Sequence, residues 1–124
     1  LYISPLKALT RDLSLSLQNV LDELGSGLRI ECRTGDTSAA LKSRQRTRLP
    51  PVLFTTPESL SLMLSYPGAD RMFANLKAVV VDEWHELIAG KRGVQTQLGL
   101  ARLKTWRPDV RIWGLSATLG NLQE

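Results

Sequence analysis

Histidine and cysteine occur once each in the 124 residues, at His85 and Cys32. A lone cysteine can build neither a disulfide framework nor a zinc site, and it points to reducing, cytoplasmic surroundings. The lone histidine removes a metalloprotease reading of His85-Glu86, because the second ligand would fall where Ala89 stands. No apolar run is long enough to span a bilayer, so no membrane helix is expected. The opening Leu1-Tyr2-Ile3-Ser4-Pro5 lacks the charged-then-apolar order of a signal peptide. Internal repeats, low-complexity tracts and linker-like stretches are missing too. What is present is ordinary: 43% hydrophobic and 23% charged, too apolar for a disordered chain and sized for one domain or part of one. The net charge of +4 leans only mildly towards a polyanionic partner.

Strand-like and helix-like segments alternate. The strands expected are Leu1–Ser4, Leu28–Arg33, Val52–Thr55, Lys77–Asp82 and Val110–Leu115. The run Val79-Val80-Val81 suits a strand buried on both faces. A first helix places Leu13, Leu17, Val20, Leu21 and Leu24 on one face and stops at Gly25-Ser26-Gly27. A second covers about Ser38 to Arg48 and is halted by Pro50-Pro51. A third begins at Pro57 and groups Leu60, Met63 and Leu64. A fourth follows Gly93, aligns Val94, Leu98 and Ala101, and ends near Pro108. The alternation predicts an α/β fold with a mainly parallel sheet.

Chemistry-bearing residues cluster at the carboxyl ends of these strands, the edge where open α/β sheets bind ligands. Ser4-Pro5-Leu6-Lys7 reads as an N-cap followed by proline at the first helical position, which would present free N–H groups and Lys7 to a phosphate. Taken alone it reads as a plain helix cap. Thr55-Thr56-Pro57-Glu58 repeats the device, and two such sites on one edge suit a polymeric polyanion. Asp82-Glu83-Trp84-His85 follows a buried strand, where adjacent carboxylates are costly without a task. The pair suits nucleotide hydrolysis: one carboxylate organises Mg²⁺ through water and the next orients and deprotonates the attacking water. The plainer reading is an acidic helix start. Ser116-Ala117-Thr118 could hydrogen-bond an active-site histidine or carboxylate, or could be a polar turn with Gly120-Asn121.

Taken in order, these segments resemble the motifs of superfamily 2 helicases. ISPLKAL is similar to motif Ia, TTPESL to Ib, DEWH to the DExH form of Walker B, and SAT to motif III. VVVDEWHELIAGKRGVQTQLGLARL and WGLSATLGNL resemble the Lhr-type helicases, and RTGDTSAALKSRQRTRLPPVLFTTPESLSLML resembles their ligase-associated DNA-repair branch. The resemblance covers essentially the whole chain. It implies a RecA-like fold of the P-loop NTPase type, with helices on both faces of the sheet, use of ATP and Mg²⁺, and movement on single-stranded or partly duplex DNA. Repair ligases or nucleases would be partners on the same ground, and no membrane is involved. By position, Asp82 resembles the Mg²⁺-organising aspartate and Glu83 the catalytic base. His85, Ser116 and Thr118, with Ala117 between, resemble the group coupling nucleotide state to strand grip. Ser4, Pro5, Lys7, Thr56 and Pro57 resemble strand-contacting positions. Gly35-Asp36 resembles a further backbone-contact turn, and equally a simple turn before a helix.

The chain departs from that family in one respect. No G-x-x-x-x-G-K-[ST] occurs, and Gly90-Lys91-Arg92 is no substitute, because Arg92 replaces the hydroxyl residue. The resemblance places the phosphate loop before Leu1 and a second motor domain elsewhere. Residues 1–124 are therefore expected to be part of a first RecA-like domain, from motif Ia to motif III, and an exposed sheet edge would need covering. The rival reading is a nucleic-acid-binding or scaffold module without ATPase activity. Lys42, Arg44, Arg46 and Arg48 are expected to spread around a solvated helix. Lys91 and Arg92, before a helix N-terminus, hint at a polyanion contact. Trp113 is expected in the core.

Overall fold

The computed structural model describes residues 1–87 and 90–116. Five strands, β1 (Tyr2–Ile3), β2 (Ile30–Arg33), β3 (Val52–Thr55), β4 (Ala78–Val81) and β5 (Arg111–Gly114), form one sheet in the order β2-β3-β1-β4-β5. All four pairings are parallel. Six helices intervene: α1 (Lys7–Glu23), α2 (Ala39–Thr47), α3 (Pro57–Leu64), α4 (Ala69–Met72), α5 (Trp84–Leu87) and α6 (Lys91–Trp106). The expected α/β class with a mainly parallel sheet is what forms.

The register sorts residues to the two faces, because side chains alternate along a strand. Ile3, Val81 and Thr55 are in register and share one face with Leu53 and Val79. That face packs on Leu60, Met63 and Leu64 of α3 and Leu100 and Leu103 of α6, with Phe73 closing the core. Tyr2, Phe54 and Cys32 share the other face, where Cys32 Sγ meets Ser14 Oγ of α1 at 3.0 Å. Helices therefore cover both faces.

Local signals explain several boundaries. Gly25 (φ 66°) ends α1 in a Schellman motif, Ser26 N–H donating to Leu21 O at 3.1 Å and Gly25 N–H to Asp22 O at 3.0 Å. Thr56 caps α3 by accepting from Ser59 N–H at 3.3 Å, with Pro57 in the first turn. Ser38 caps α2 in the same way, accepting from Leu41 N–H at 3.2 Å.

Four expectations need correction. Ser4 is not the cap of α1 and Pro5 is not its first residue: the cap position is Leu6 and the helix starts at Lys7. The Ser4 amide continues the ladder to Thr55 O at 2.9 Å, and its hydroxyl accepts from Leu6 N–H at 3.3 Å, delaying the helix. The inward face of α1 is carried by Thr10 and Ser14, while Leu17, Val20 and Leu24 are exposed. The fourth helix starts at Lys91, before Gly93, and buries Gly93, Thr96, Gly99, Leu100 and Leu103 while Val94 and Leu98 face outward. Small residues win that face because α6 sits close on α3; a Cβ built on Gly99 would lie 3.3 Å from Leu64 Cδ1. Trp113 is 59% exposed, because β5 is at the sheet's margin with β4 its one strand neighbour among the described residues.

Candidate active site and nucleic-acid interface

A sheet with every strand parallel brings all carboxyl ends to one edge. Read across it, Gly35-Asp36 follows β2, Thr56-Pro57 follows β3, Ser4-Pro5 follows β1, Asp82-Glu83 follows β4, and Ser116 follows β5. The three candidate strand-gripping segments thus occupy neighbouring strands on one half. The acidic segment and Ser116 occupy the other. Sequence order already separates the two halves, since β1, β2 and β3 precede β4 and β5; what it does not show is that β1 lies between β3 and β4.

In the acidic half, Asp82 leaves β4 with its amide donating to Ile3 O at 2.8 Å. Its Oδ1 accepts from Glu83 N–H at 2.8 Å, and its Oδ2 accepts from the Tyr2 hydroxyl. Glu83 has φ 51°, the one non-glycine residue at positive φ among the described residues. The left-handed region costs a side-chain-bearing residue roughly 1–2 kcal/mol, a cost found mostly where a site needs the geometry. The conformation directs Glu83 Oε2 to His85 Nε2, 3.3 Å away, and His85 Nδ1 lies 2.6 Å from Ser116 Oγ. With a neutral ring, one assignment satisfies every partner: Ser116 donates to Nδ1 and Nε2–H donates to Glu83. The order Ser116–His85–Glu83 is therefore a continuous hydrogen-bonded line from β5 to the β4 turn. Trp84 holds the line in place, its amide donating to Leu115 O at 2.9 Å and its ring lying against Gly114.

Burial and the neighbouring Asp82 push the Tyr2 hydroxyl well above the usual phenol range, so it stays a donor. Sequence reasoning missed Tyr2. Its signal was available only as a polar aromatic two residues before Ser4, with no partner visible from spacing. Each Asp82 oxygen already accepts one protein hydrogen bond and keeps a lone pair for a further donor or a metal-bound water. Among the described residues no three His, Cys, Asp or Glu side chains converge on a metal position. A single carboxylate with spare acceptor capacity fits Mg²⁺, which keeps most of its waters, and would not fit a metal requiring an all-protein cage.

In the other half, Lys7 Nζ lies 2.7 Å from Asp36 Oδ2, and Lys42 Nζ donates to Gly35 O at 3.3 Å. The Lys7 ammonium beside Asp36 lowers its carboxyl below the ordinary range, with Lys42 adding a smaller effect. Motif-like segments 4–7 and 35–36, far apart in sequence, thus meet at the surface. The Gly35-Asp36 turn is organised by Thr37 Oγ1, which accepts from Thr34 N–H at 2.9 Å. The other α2 cations have private partners: Arg44 pairs with Glu31 at 2.7 Å, and Arg46 stacks over the Tyr66 ring at 4.4 Å. Arg92, expected to face a polyanion, instead donates to Pro5 O at 2.6 Å and to Glu58 Oε2 at 3.2 Å. Ala117 and Thr118 lie outside the described residues. A cavity of about 700 Å³ lined by Leu1, Arg48, Pro50, Phe73, Leu76 and Ala78 lies at the amino ends of the strands, opposite this edge, and takes no part in the site.

Known proteins resemble this chain in sequence and fold. The DEAD/DEAH box helicase family model matches residues 1–124. The ATP-dependent helicase Lhr-Core of Methanocaldococcus jannaschii is 40% identical over 134 aligned positions, covering 100% of this chain and 16% of that protein. The Lhr helicase/uracil glycosylase of Escherichia coli is 38% identical over 96% of this chain and 8% of its own length. The structure of Mycobacterium smegmatis helicase Lhr bound to ssDNA and AMP-PNP superposes with a TM-score of 0.79 at 37% identity, over 95% of this chain and 17% of that one. That of the helicase MrfA bound to DNA and AMPPNP gives 0.78 at 31% identity, over 99% of this chain and 18% of that one. The chain spans about a sixth or less of the relatives it matches. With the family model matched from end to end and identity near 40% to Lhr-type helicases, this chain belongs to the DEAD/DEAH box helicase family.

Proposed function

We propose that residues 1–124 are the part of a first RecA-like motor domain running from motif Ia to motif III, in an ATP-dependent DNA helicase or translocase. The observation that carries this reading is the hydrogen-bonded line Ser116–His85–Glu83 beside Asp82, on the same sheet edge as Ser4-Pro5-Lys7, Gly35-Asp36 and Thr56-Pro57. Glu83 is the general base: its carboxylate orients a water and takes its proton as the water oxygen bonds the γ-phosphorus of ATP. The bond from that phosphorus to the bridging oxygen breaks, and ADP leaves. Asp82, held by Tyr2 and the Glu83 amide, is the carboxylate that organises Mg²⁺, through water. When bound, the ion neutralises charge on the phosphate oxygens. His85 transmits the state of Glu83 to Ser116, and Ala117 and Thr118 complete that coupling segment.

Ser4, Pro5, Lys7, Gly35, Asp36, Thr56 and Pro57 form the grip on the nucleic-acid backbone. The Lys7 ammonium suits a phosphate, and a strand would compete with Asp36 for it. The strand is DNA in single-stranded or partly duplex form, a reading supported by the DNA present in the two structural relatives. A repair setting and ligase or nuclease partners follow from the ligase-associated resemblance, and a cytoplasmic location from the lone Cys32. The described residues include no helix long and apolar enough to cross a membrane.

The test is Glu83→Gln in the full-length protein. The amide keeps the shape and loses the base, so strand-stimulated ATP turnover should fall by about 10²–10⁴-fold while ATP and DNA binding persist. Turnover within a few-fold of the parent would remove Glu83 from the role of base. No strand-stimulated hydrolysis in the unaltered parent would instead favour a binding module.

A further inference from the structure

Arg92 stands in the first turn of α6, where the helix dipole disfavours a cation and no acidic residue of that turn offsets it. Its Nε is buried and lies 2.5 Å from Glu58 Oε1, but has no acceptor in hydrogen-bonding geometry. The hydrogen bonds come from Nη2, which reaches two different segments at once: the Pro5 carbonyl at 2.6 Å and Glu58 Oε2 at 3.2 Å. Pro5 belongs to the grip segment after β1, and Glu58 to the first turn of α3, directly after Thr56-Pro57. Burial tends to raise the Glu58 carboxyl, but hydrogen bonds from Arg92 and from the backbone outweigh it and hold it below its ordinary value. The pair is therefore ionised and oriented at neutral pH. Arg92 follows the Asp82-Glu83-Trp84-His85 turn by only seven residues, and α6 packs directly on α3 through Gly99 against Leu60 and Leu64.

From this geometry we propose that Arg92 is a positioning residue, setting the spacing between the Ser4-Pro5-Lys7 and Thr56-Pro57 segments and tying both to the helix that follows the acidic turn. The inference rests on the helicase reading above. A planar guanidinium can bridge a carbonyl and a carboxylate, whereas an ammonium presents one point charge. Because Nη2 is committed to Pro5 and Glu58 and Nε is buried against Glu58, Arg92 acts on the strand through the segments it holds. Successive phosphates have a fixed spacing, so a change in the distance between two phosphate-binding segments weakens both contacts.

The test uses the full-length protein, labelled oligothymidylate, and the variants Arg92→Met and Arg92→Lys, with Glu58→Gln alone and combined with Arg92→Met. Arg92→Met should weaken strand binding about tenfold and raise the DNA concentration needed to stimulate hydrolysis. Arg92→Lys should fall between it and the parent. Glu58→Gln should add little in the Arg92→Met background, in strand binding and in melting temperature alike. The readout that separates positioning from direct contact is the salt dependence of binding, whose slope should be the same in parent and variants. A slope reduced by about one would make Arg92 a phosphate contact and overturn the proposal. Parent-like affinity in both Arg92 variants, or additive losses in the double variant, would overturn it too. A parent that binds no strand removes the helicase reading itself, a result distinct from any of these.

Discussion

His85 is the residue on which the acidic half turns, because its two ring nitrogens meet side chains from the segments that follow two different strands, β4 and β5. Nε2 faces Glu83 at 3.3 Å and Nδ1 faces Ser116 at 2.6 Å. Removing the Ser116 hydroxyl leaves Glu83 and Asp82 with their own positions, since Asp82 is held by Tyr2 and the Glu83 amide. In the full-length helicase proposed above, Ser116→Ala should therefore keep most strand-stimulated ATP hydrolysis and lower the base pairs unwound per ATP. The lost hydrogen bond contributes about 0.5–1.5 kcal/mol, enough to bias a two-state closure and too little to decide folding. An unchanged ratio of unwinding to hydrolysis, or hydrolysis collapsing along with unwinding, would show that Ser116 does not couple the two. At this scale the sequence was informative about identity: Asp82, Glu83, His85 and Ser116 were all legible as candidates from their place after strands. The positive φ of Glu83 and the Tyr2 contact were not; the contact arises from how β1 and β4 lie side by side.

Among the helices, the clearest departure from periodicity is α6. A sequence pattern ranks Val94, Leu98 and Ala101 as the inward face, yet Gly93, Thr96 and Gly99 are buried beside Leu100 and Leu103. Apolar periodicity assumes that burial follows side-chain size, and close helix contact reverses that preference. The contact with α3 makes a specific forecast. Gly99→Leu overfills a site where even a Cβ meets Leu64 Cδ1 at 3.3 Å and Leu60 Cδ2 at 3.4 Å, and should cost about 1–3 kcal/mol. Gly99→Ala gains about 0.5–1 kcal/mol of helix preference, which offsets the tight contact with flexible leucine ends and leaves stability near the parent's. Urea unfolding of the three proteins measures both, and a tolerated leucine would mean that α3 and α6 are not held at this distance. The strand-to-helix junctions followed their sequence signals at Thr56-Pro57 and failed at Ser4-Pro5. The difference is that the Ser4 amide is taken by Thr55 O, which extends the strand.

For the whole molecule, parallel pairing decides what the edge can do. The 124 residues contain no G-x-x-x-x-G-K-[ST], the loop that supplies most phosphate contacts in nucleotide-hydrolysing motors. The isolated chain should accordingly bind ATP no tighter than the millimolar range and show no turnover. Calorimetric titration checks this, and micromolar binding would mean that Asp82 and its neighbours hold nucleotide without that loop. The sequence by itself determined the class of fold, the five strands and the identity of nearly every candidate residue, because strand runs, turn residues and acidic pairs are local signals. Only the tertiary structure decided the strand order β2-β3-β1-β4-β5, which sets the three candidate grip segments side by side with the acidic turn next to them. It alone decided the pairing of Lys7 with Asp36, the reach of Arg92 to Pro5 and Glu58, and the exposure of Trp113. Those contacts join residues tens of positions apart, and sequence spacing carries no information about which strands become neighbours.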